Sequence, residues 1–329
     1  MRDDAVWTED VLGHGFEATE LTLEPDAEGE VCATLVRHGP SQARSTWLSR
    51  LWKPRGPRFD VLYVHGWSDY FFQRSLAQFW TARGAAFYAL DLRKYGRSLR
   101  DHQTPGYVDD LATYDEDIAA ALAVMRAGTR RPLVLMGHST GGLTLSLWAA
   151  RHPDEAVGLV LNSPWLEFQM GTAARALLEP MVDLGKRLLP LSQYPQFDQG
   201  FYGRTTSTRF QGEWDIDARW KPDLGFRGTR GWLSAIFHGQ GKVASGLGLT
   251  MPVLVLLSQR SVLQPSWSDD MLHADTVLDV DAVARRAVDL GSDVTIRRLD
   301  GALHDVVLSE KPVRRQVWGA IAAWLPRVV

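Results

Sequence analysis

The run PLVLMGHSTGG (132–142) is an apolar stretch that ends abruptly in a serine among glycines: Gly137, Ser139, Gly141 and Gly142. GHSTG (137–141) fits the pattern G-x-S-x-G, in which a strand delivers a serine hydroxyl to the top of a sheet and a helix begins directly after it. The pattern alone recurs by chance, so its setting has to carry the argument. Here a strand-like run precedes it and a helix-like stretch, GGLTLSLWAARHP (141–153), follows. Glycines suit a strained turn in which neighbouring side chains would collide. A helix N-terminus beside the serine favours negative charge developing there.

A serine hydroxyl is a poor nucleophile until a base takes its proton. The base must be oriented, and N–H donors must await the oxyanion. Of nine histidines, His304 in LDGALHDVVLS (299–309) is the candidate base, because it follows the last strand-like run and precedes the final helix. The acid is expected after the preceding run, within SQRSVLQPSWSDDMLHADTVLDVDAV. Asp275 is the first choice, yet it lies about 17 residues past that run, so Asp270 and Asp269 stay open as alternatives. Asp279 and Asp281 read as a helix cap and first-turn charge. The oxyanion donors are expected from the backbone N–H of Trp67, after VLYVHG, and of Thr140, next to the serine. The chain order Ser139, Asp275, His304 differs from that of chymotrypsin-like and subtilisin-like proteases.

His138 is expected to point away from the nucleophile, and His65 to order the donor loop. Asp91 and Arg93 in DLRKYGRS (91–98) read as a buried turn network. No helical zinc pattern, phosphate-binding loop or dinucleotide fingerprint is found, so no cofactor and no metal are expected.

These residues need a scaffold. FEATELTLEP (16–25) and EVCATLVRHG (30–39) alternate about a turn-prone DAEGE and predict an antiparallel hairpin at a sheet edge. Short apolar runs follow at 58–66, 85–93, 131–137, 156–164, 251–259 and 292–301. Helix-like segments at 70–84, 114–128, 141–153 and 314–325 lie among them. Alternating strands and helices predict an α/β fold with a mostly parallel central sheet covered on both faces. The alternation fails between about 168 and 250. That stretch opens with a predicted helix (172–189) and is then rich in aromatics, so it is expected to be an inserted cap over a core made of 1–167 and 251–329.

Composition narrows the partners. Of 329 residues 45% are apolar and 23% charged, and the net charge is −3, which gives no argument for nucleic acid. A single cysteine, Cys32, excludes an internal disulfide and fits a reducing compartment. The start MRDDAVWTEDVL is acidic where a signal peptide is basic, and no apolar stretch is long enough to span a bilayer, so a cytoplasmic location is expected.

VHGWSDYF, ALDLRKYGRS, LMGHSTGG, LVLNSPW, HADTVLD and LDGALHD together resemble the α/β-hydrolase family, in particular its monoacylglycerol lipase/lysophospholipase group, also described as serine aminopeptidase S33-like. The resemblance spans about residues 58–310. It implies Ser139 as nucleophile, Trp67 and Thr140 as oxyanion donors and His304 as base, and the ADTVLD wording supports Asp275. The chain departs from the group at Arg93-Lys94-Tyr95-Gly96, and in the long insertion before Asp275. The resulting expectation is a serine hydrolase that cleaves a small hydrophobic or lipid-like ester, with transient lipid-surface contact through the cap. Two other readings stand beside it. One is an amide or peptide hydrolase that holds a free amine through Glu213, Asp215, Asp217 or Asp223; the other is a non-catalytic ligand-binding protein. The oligomeric state is left open.

Overall fold

A computed structural model describes residues 5–39, 56–168, 171–195 and 199–329. Its centre is a sheet of nine strands among the described residues, in the order β1-β2-β3-β5-β4-β6-β7-β8-β9. β1 (Thr8–Glu9), β2 (Phe16–Asp26) and β3 (Gly29–His38) form the antiparallel edge, with the hairpin where the alternation predicts it. β3 runs antiparallel to β5 (Ala85–Asp91). From β5 onward the sheet is parallel: β4 (Phe59–Val64), β6 (Leu133–His138), β7 (Gly158–Asn162), β8 (Val253–Ser258) and β9 (Val294–Leu299).

Each inner strand divides its side chains between two cores, because successive residues point to opposite faces of a strand. Leu62, Val64, Leu135, Leu161 and Val255 face one core, with α2 (Tyr114–Met125), α3 (Thr140–Arg151) and α7 (Val280–Ala287). Val61, Tyr63, Met136, Val160 and Leu254 face the other, with α1 (Arg74–Thr81) and α8 (Lys311–Trp324). Burial on both faces is why these strands read as continuous apolar runs rather than alternating ones.

The first predicted helix is shorter than its periodicity implied. Residues 70–73 lie outside α1, with Phe71 N donating to Asp91 Oδ1 (2.9 Å) and Phe72 N to Gln73 Oε1 (3.1 Å). Between β7 and β8 the described residues add no strand to the sheet. They hold α4 (Gly171–Leu188), α5 (Phe201–Thr206) and α6 (Arg230–Ala244). Within this stretch 169–170 and 196–198, including Phe197, lie outside the described residues, as do Met1–Asp4 at the start. No helix among the described residues is long and apolar enough to cross a membrane.

Candidate active site

Ser139 leaves β6 with φ +51° and ψ −115° and stands immediately before α3. This backbone conformation is costly for a residue with a Cβ and persists only where the surroundings enforce it. Two neighbours do so. Ser139 N donates to Asn162 O (3.0 Å), and Ser139 O accepts from Trp165 N (3.0 Å). The glycines are required by close approach: a Cβ on Gly141 would lie 2.2 Å from His65 O, and one on Gly137 would lie 2.7 Å from Gly141 O.

His304 Nε2 lies 3.1 Å from Ser139 Oγ, and His304 Nδ1 lies 2.9 Å from Asp275 Oδ2. All three side chains are buried, Asp275 completely. The other oxygen, Asp275 Oδ1, accepts from the backbone N–H of Val277 (2.7 Å) and Leu278 (2.8 Å). Asp270 is exposed and paired with Arg260 at 3.0 Å, while Asp269 accepts from Trp267 Nε1 at 3.2 Å. Asp279 caps α7 through Asp281 N and Ala282 N. The histidine loop is held by the next residue. Asp305 accepts from Asn162 Nδ2 (2.6 Å) and Gln73 Nε2 (3.1 Å), and Val306 N donates to Asn162 Oδ1 (3.0 Å).

The loop after β4 runs against the serine. A Cβ on Gly66 would lie 3.1 Å from Ser139 Cβ and 2.8 Å from His138 Nδ1, which explains the glycine before Trp67. His65 donates from Nδ1 to Gly66 O (2.8 Å) and accepts at Nε2 from Leu92 N (3.1 Å). Burial holds its pKa below the usual histidine value, so both bonds belong to the neutral ring. Thr140 opens α3, where first-turn N–H groups lack partners within the helix.

A cavity of about 100 Å³ opens on Ser139 and His304, lined also by Trp67, His138, Tyr202 and Lys221. His138 departs from its expected direction: its ring lines this cavity and its centroid is 5.0 Å from that of His304. The strand alternation that would turn it away ends with it, since Ser139 already belongs to the turn. Of the aromatics between 168 and 250, Tyr202 lines the cavity, with its ring edge-on to His304 at 5.3 Å. Burial pushes the Tyr202 hydroxyl pKa well up, so it stays a neutral phenol. Phe226 and Trp232 instead pack on Trp67. Asp91 and Arg93 are buried as expected, in two separate pairs: Asp91 with Arg97 (2.7 Å) and Arg93 with Asp117 (2.7 Å).

Lys221 and Asp69 carry no motif and escape a reading of the sequence. Lys221 Nζ donates to Asp69 Oδ1 at 2.9 Å, and both side chains are buried. Burial alone would raise the Asp69 pKa, but the Lys221 charge and nearby His138 outweigh it and hold the carboxyl well below its usual range. Asp69, His138 and Asp305 have donor atoms within 4.8 Å of one another, close enough to share an ion. Asp305 is engaged by Asn162 and Gln73, and Asp69 Oδ1 by Lys221, whereas Asp69 Oδ2 and both His138 nitrogens are buried with no hydrogen-bond partner among the described residues, Nδ1 lying 3.6 Å from Oδ2. A second such group among the described residues, Glu179, Asp183 and His238, lies on the partly exposed faces of α4 and α6.

A mostly parallel sheet with a serine on a strand-to-helix elbow and a histidine beyond the last strand defines an α/β hydrolase. The chain belongs to the family described as serine aminopeptidase, S33, whose model matches residues 55–311. The monoacylglycerol lipase of Mycolicibacterium smegmatis is 27% identical over 286 residues, 84% of this chain and 91% of that protein. Among solved structures, a soluble variant of the Saccharomyces cerevisiae monoglyceride lipase in complex with a substrate analog superposes with a TM-score of 0.64. It is 17% identical and covers 99% of this chain and 96% of its own. The Paleococcus ferrophilus monoacylglycerol lipase has a TM-score of 0.60 at 20% identity, over 82% of this chain and 95% of its own.

Proposed function

We propose that this protein is a carboxylic ester hydrolase acting through an acyl-enzyme on Ser139. The observation that carries the reading is the continuous hydrogen-bonded line from Ser139 Oγ through His304 to Asp275. Asp275 accepts from Nδ1–H, which leaves Nε2 to take the serine proton as Oγ attacks the ester carbonyl. The backbone N–H groups of Trp67 and Thr140 hold the oxyanion. His304 then returns the proton to the leaving alcohol, and water, activated by the same imidazole, cleaves the acyl-enzyme. Asp275 fixes the tautomer and stabilises the imidazolium.

Residues 168–250 act as a cap in this reading. The name of the Mycolicibacterium smegmatis relative supports an acyl ester of lipid type. So does an apolar stripe on α4: Leu177, Met181, Leu184 and Leu188 are 78, 71, 58 and 67% exposed, at helical spacing. Such a stripe suits transient contact with a lipid surface. The amine-binding alternative is weaker, because three of its four acids are engaged by arginines: Glu213 by Arg314, Asp217 by Arg219 and Asp223 by Arg209.

The test is hydrolysis of p-nitrophenyl esters from C2 to C16 by the parent and Ser139→Ala, with intact mass after fluorophosphonate treatment. Activity and one covalent adduct in the parent, with neither in the variant, support the reading. Equal hydrolysis by both removes Ser139 as nucleophile.

A further inference from the structure

Every residue from Trp67 to Tyr70 is bonded to the stretch 217–232. Trp67 Nε1 donates to Phe226 O (3.3 Å), and its ring lies on Trp232 with centroids 3.8 Å apart. Ser68, at φ +51°, accepts at Oγ from Phe226 N (3.0 Å). Asp69 holds Lys221, and the Tyr70 hydroxyl accepts from Asp217 N (3.0 Å). Four consecutive residues are thus tied to one segment that is remote in sequence. The loop contains the Trp67 N–H assigned above to the oxyanion, and its strained Ser68 needs outside support to keep its shape.

We infer that the segment 217–232 is a positioning element for the oxyanion loop, with Lys221 its main positioning residue. The inference rests on the ester hydrolase reading above and adds a role for this part of the cap beyond covering the substrate. Lys221 is suited to it because its ion pair is buried, where removing one partner is felt far more than at a surface. The ammonium also sits 4.9 Å from the centroid of the Tyr202 ring, which lines the same cavity. The consequence is specific to the reacting state. A displaced donor weakens the hold on the oxyanion more than on the neutral ester, so turnover falls while ground-state binding is kept.

The experiment measures kcat and KM for p-nitrophenyl acetate on full-length Lys221→Met, Lys221→Arg and Tyr70→Phe, with Ser139→Ala as control. Tyr70→Phe removes one bond to Asp217 without leaving a buried charge, so it stays informative if Lys221→Met fails to fold. A displacement of about 1 Å costs on the order of 100-fold. We expect kcat to fall about 10- to 100-fold in Lys221→Met and several-fold in Tyr70→Phe, with KM within about twofold of the parent, and Lys221→Arg to recover most of the loss. Parental kcat in folded Lys221→Met, or parental kcat in Tyr70→Phe should Lys221→Met not fold, overturns the inference. So does a loss seen only in KM. Hydrolysis that survives Ser139→Ala would instead overturn the ester hydrolase reading itself.

Discussion

Asp275 N donates to the carbonyl of Arg260 at 3.0 Å, and Val262 N returns a bond to Asp275 O at 2.8 Å. The chain leaves β8, makes an excursion of more than ten residues and comes back to pair with the point where it departed. Ser261 closes the excursion, donating from Oγ to Leu278 O (2.7 Å) and accepting from Val280 N (2.9 Å). In space Asp275 therefore stands just beyond the strand end, although in sequence it is far from it. Asp275→Asn should keep the fold and lower kcat about 10⁴-fold, because the amide favours the wrong histidine tautomer. Asp269→Asn and Asp270→Asn should hydrolyse p-nitrophenyl butyrate at close to the parental rate. A parental rate in Asp275→Asn would move the acid elsewhere.

The serine elbow leaves no room for a methyl group on Gly141, whose added Cβ would meet His65 O at 2.2 Å and Val64 O at 2.6 Å. Both obstacles are backbone, so relief requires β4 and α3 to separate. Gly141→Ala should destabilise by about 3 kcal/mol, the upper end of the usual cost of overpacking, read as a lower urea midpoint. An unchanged midpoint would show that the elbow relaxes freely.

His65 gives the protein a defined response to acid. Its folded pKa lies below the ordinary 6.5 because burial disfavours the imidazolium. The folded state therefore binds fewer protons than the unfolded chain as pH falls through about 6.5. Stability from neutral His65 is full above that range and is lost below it, by at most about 1.4 kcal/mol per pH unit. His38, also held low by burial, adds in the same direction. Urea unfolding at pH 7 and pH 5 should show a lower stability at pH 5, with a smaller difference in His65→Gln. The same difference in both proteins would remove His65 as a source.

The α4 stripe predicts that Leu184→Glu/Leu188→Glu sediments less with phosphatidylcholine vesicles than the parent. Both should hydrolyse soluble p-nitrophenyl acetate alike, since these side chains face away from the protein. Equal sedimentation would leave the stripe without a lipid role.

Much of this molecule follows from local rules. The apolar runs became β4 to β8 because a strand covered on both faces is apolar almost throughout, whereas β9, at the edge, carries Arg297 and Arg298, and β2 alternates because one of its faces stays exposed. Gly137 and Gly141 mark the elbow in any reading, since the turn excludes a Cβ there. The position of His304 after the last run was legible for the same reason, as it depends on element order alone.

What depended on distance through space was not legible. No periodicity shows that an excursion closes on itself, so the sequence leaves open which of Asp269, Asp270 and Asp275 comes to lie beside His304; the backbone bonds between 260–262 and 275 bring Asp275 there. His138 lines the cavity because strand alternation stops where the turn begins. Asp69 and Lys221 are 152 positions apart and each is unremarked in its own neighbourhood. Their pairing exists only because folding removes both from water, where two opposite charges must find each other or be lost.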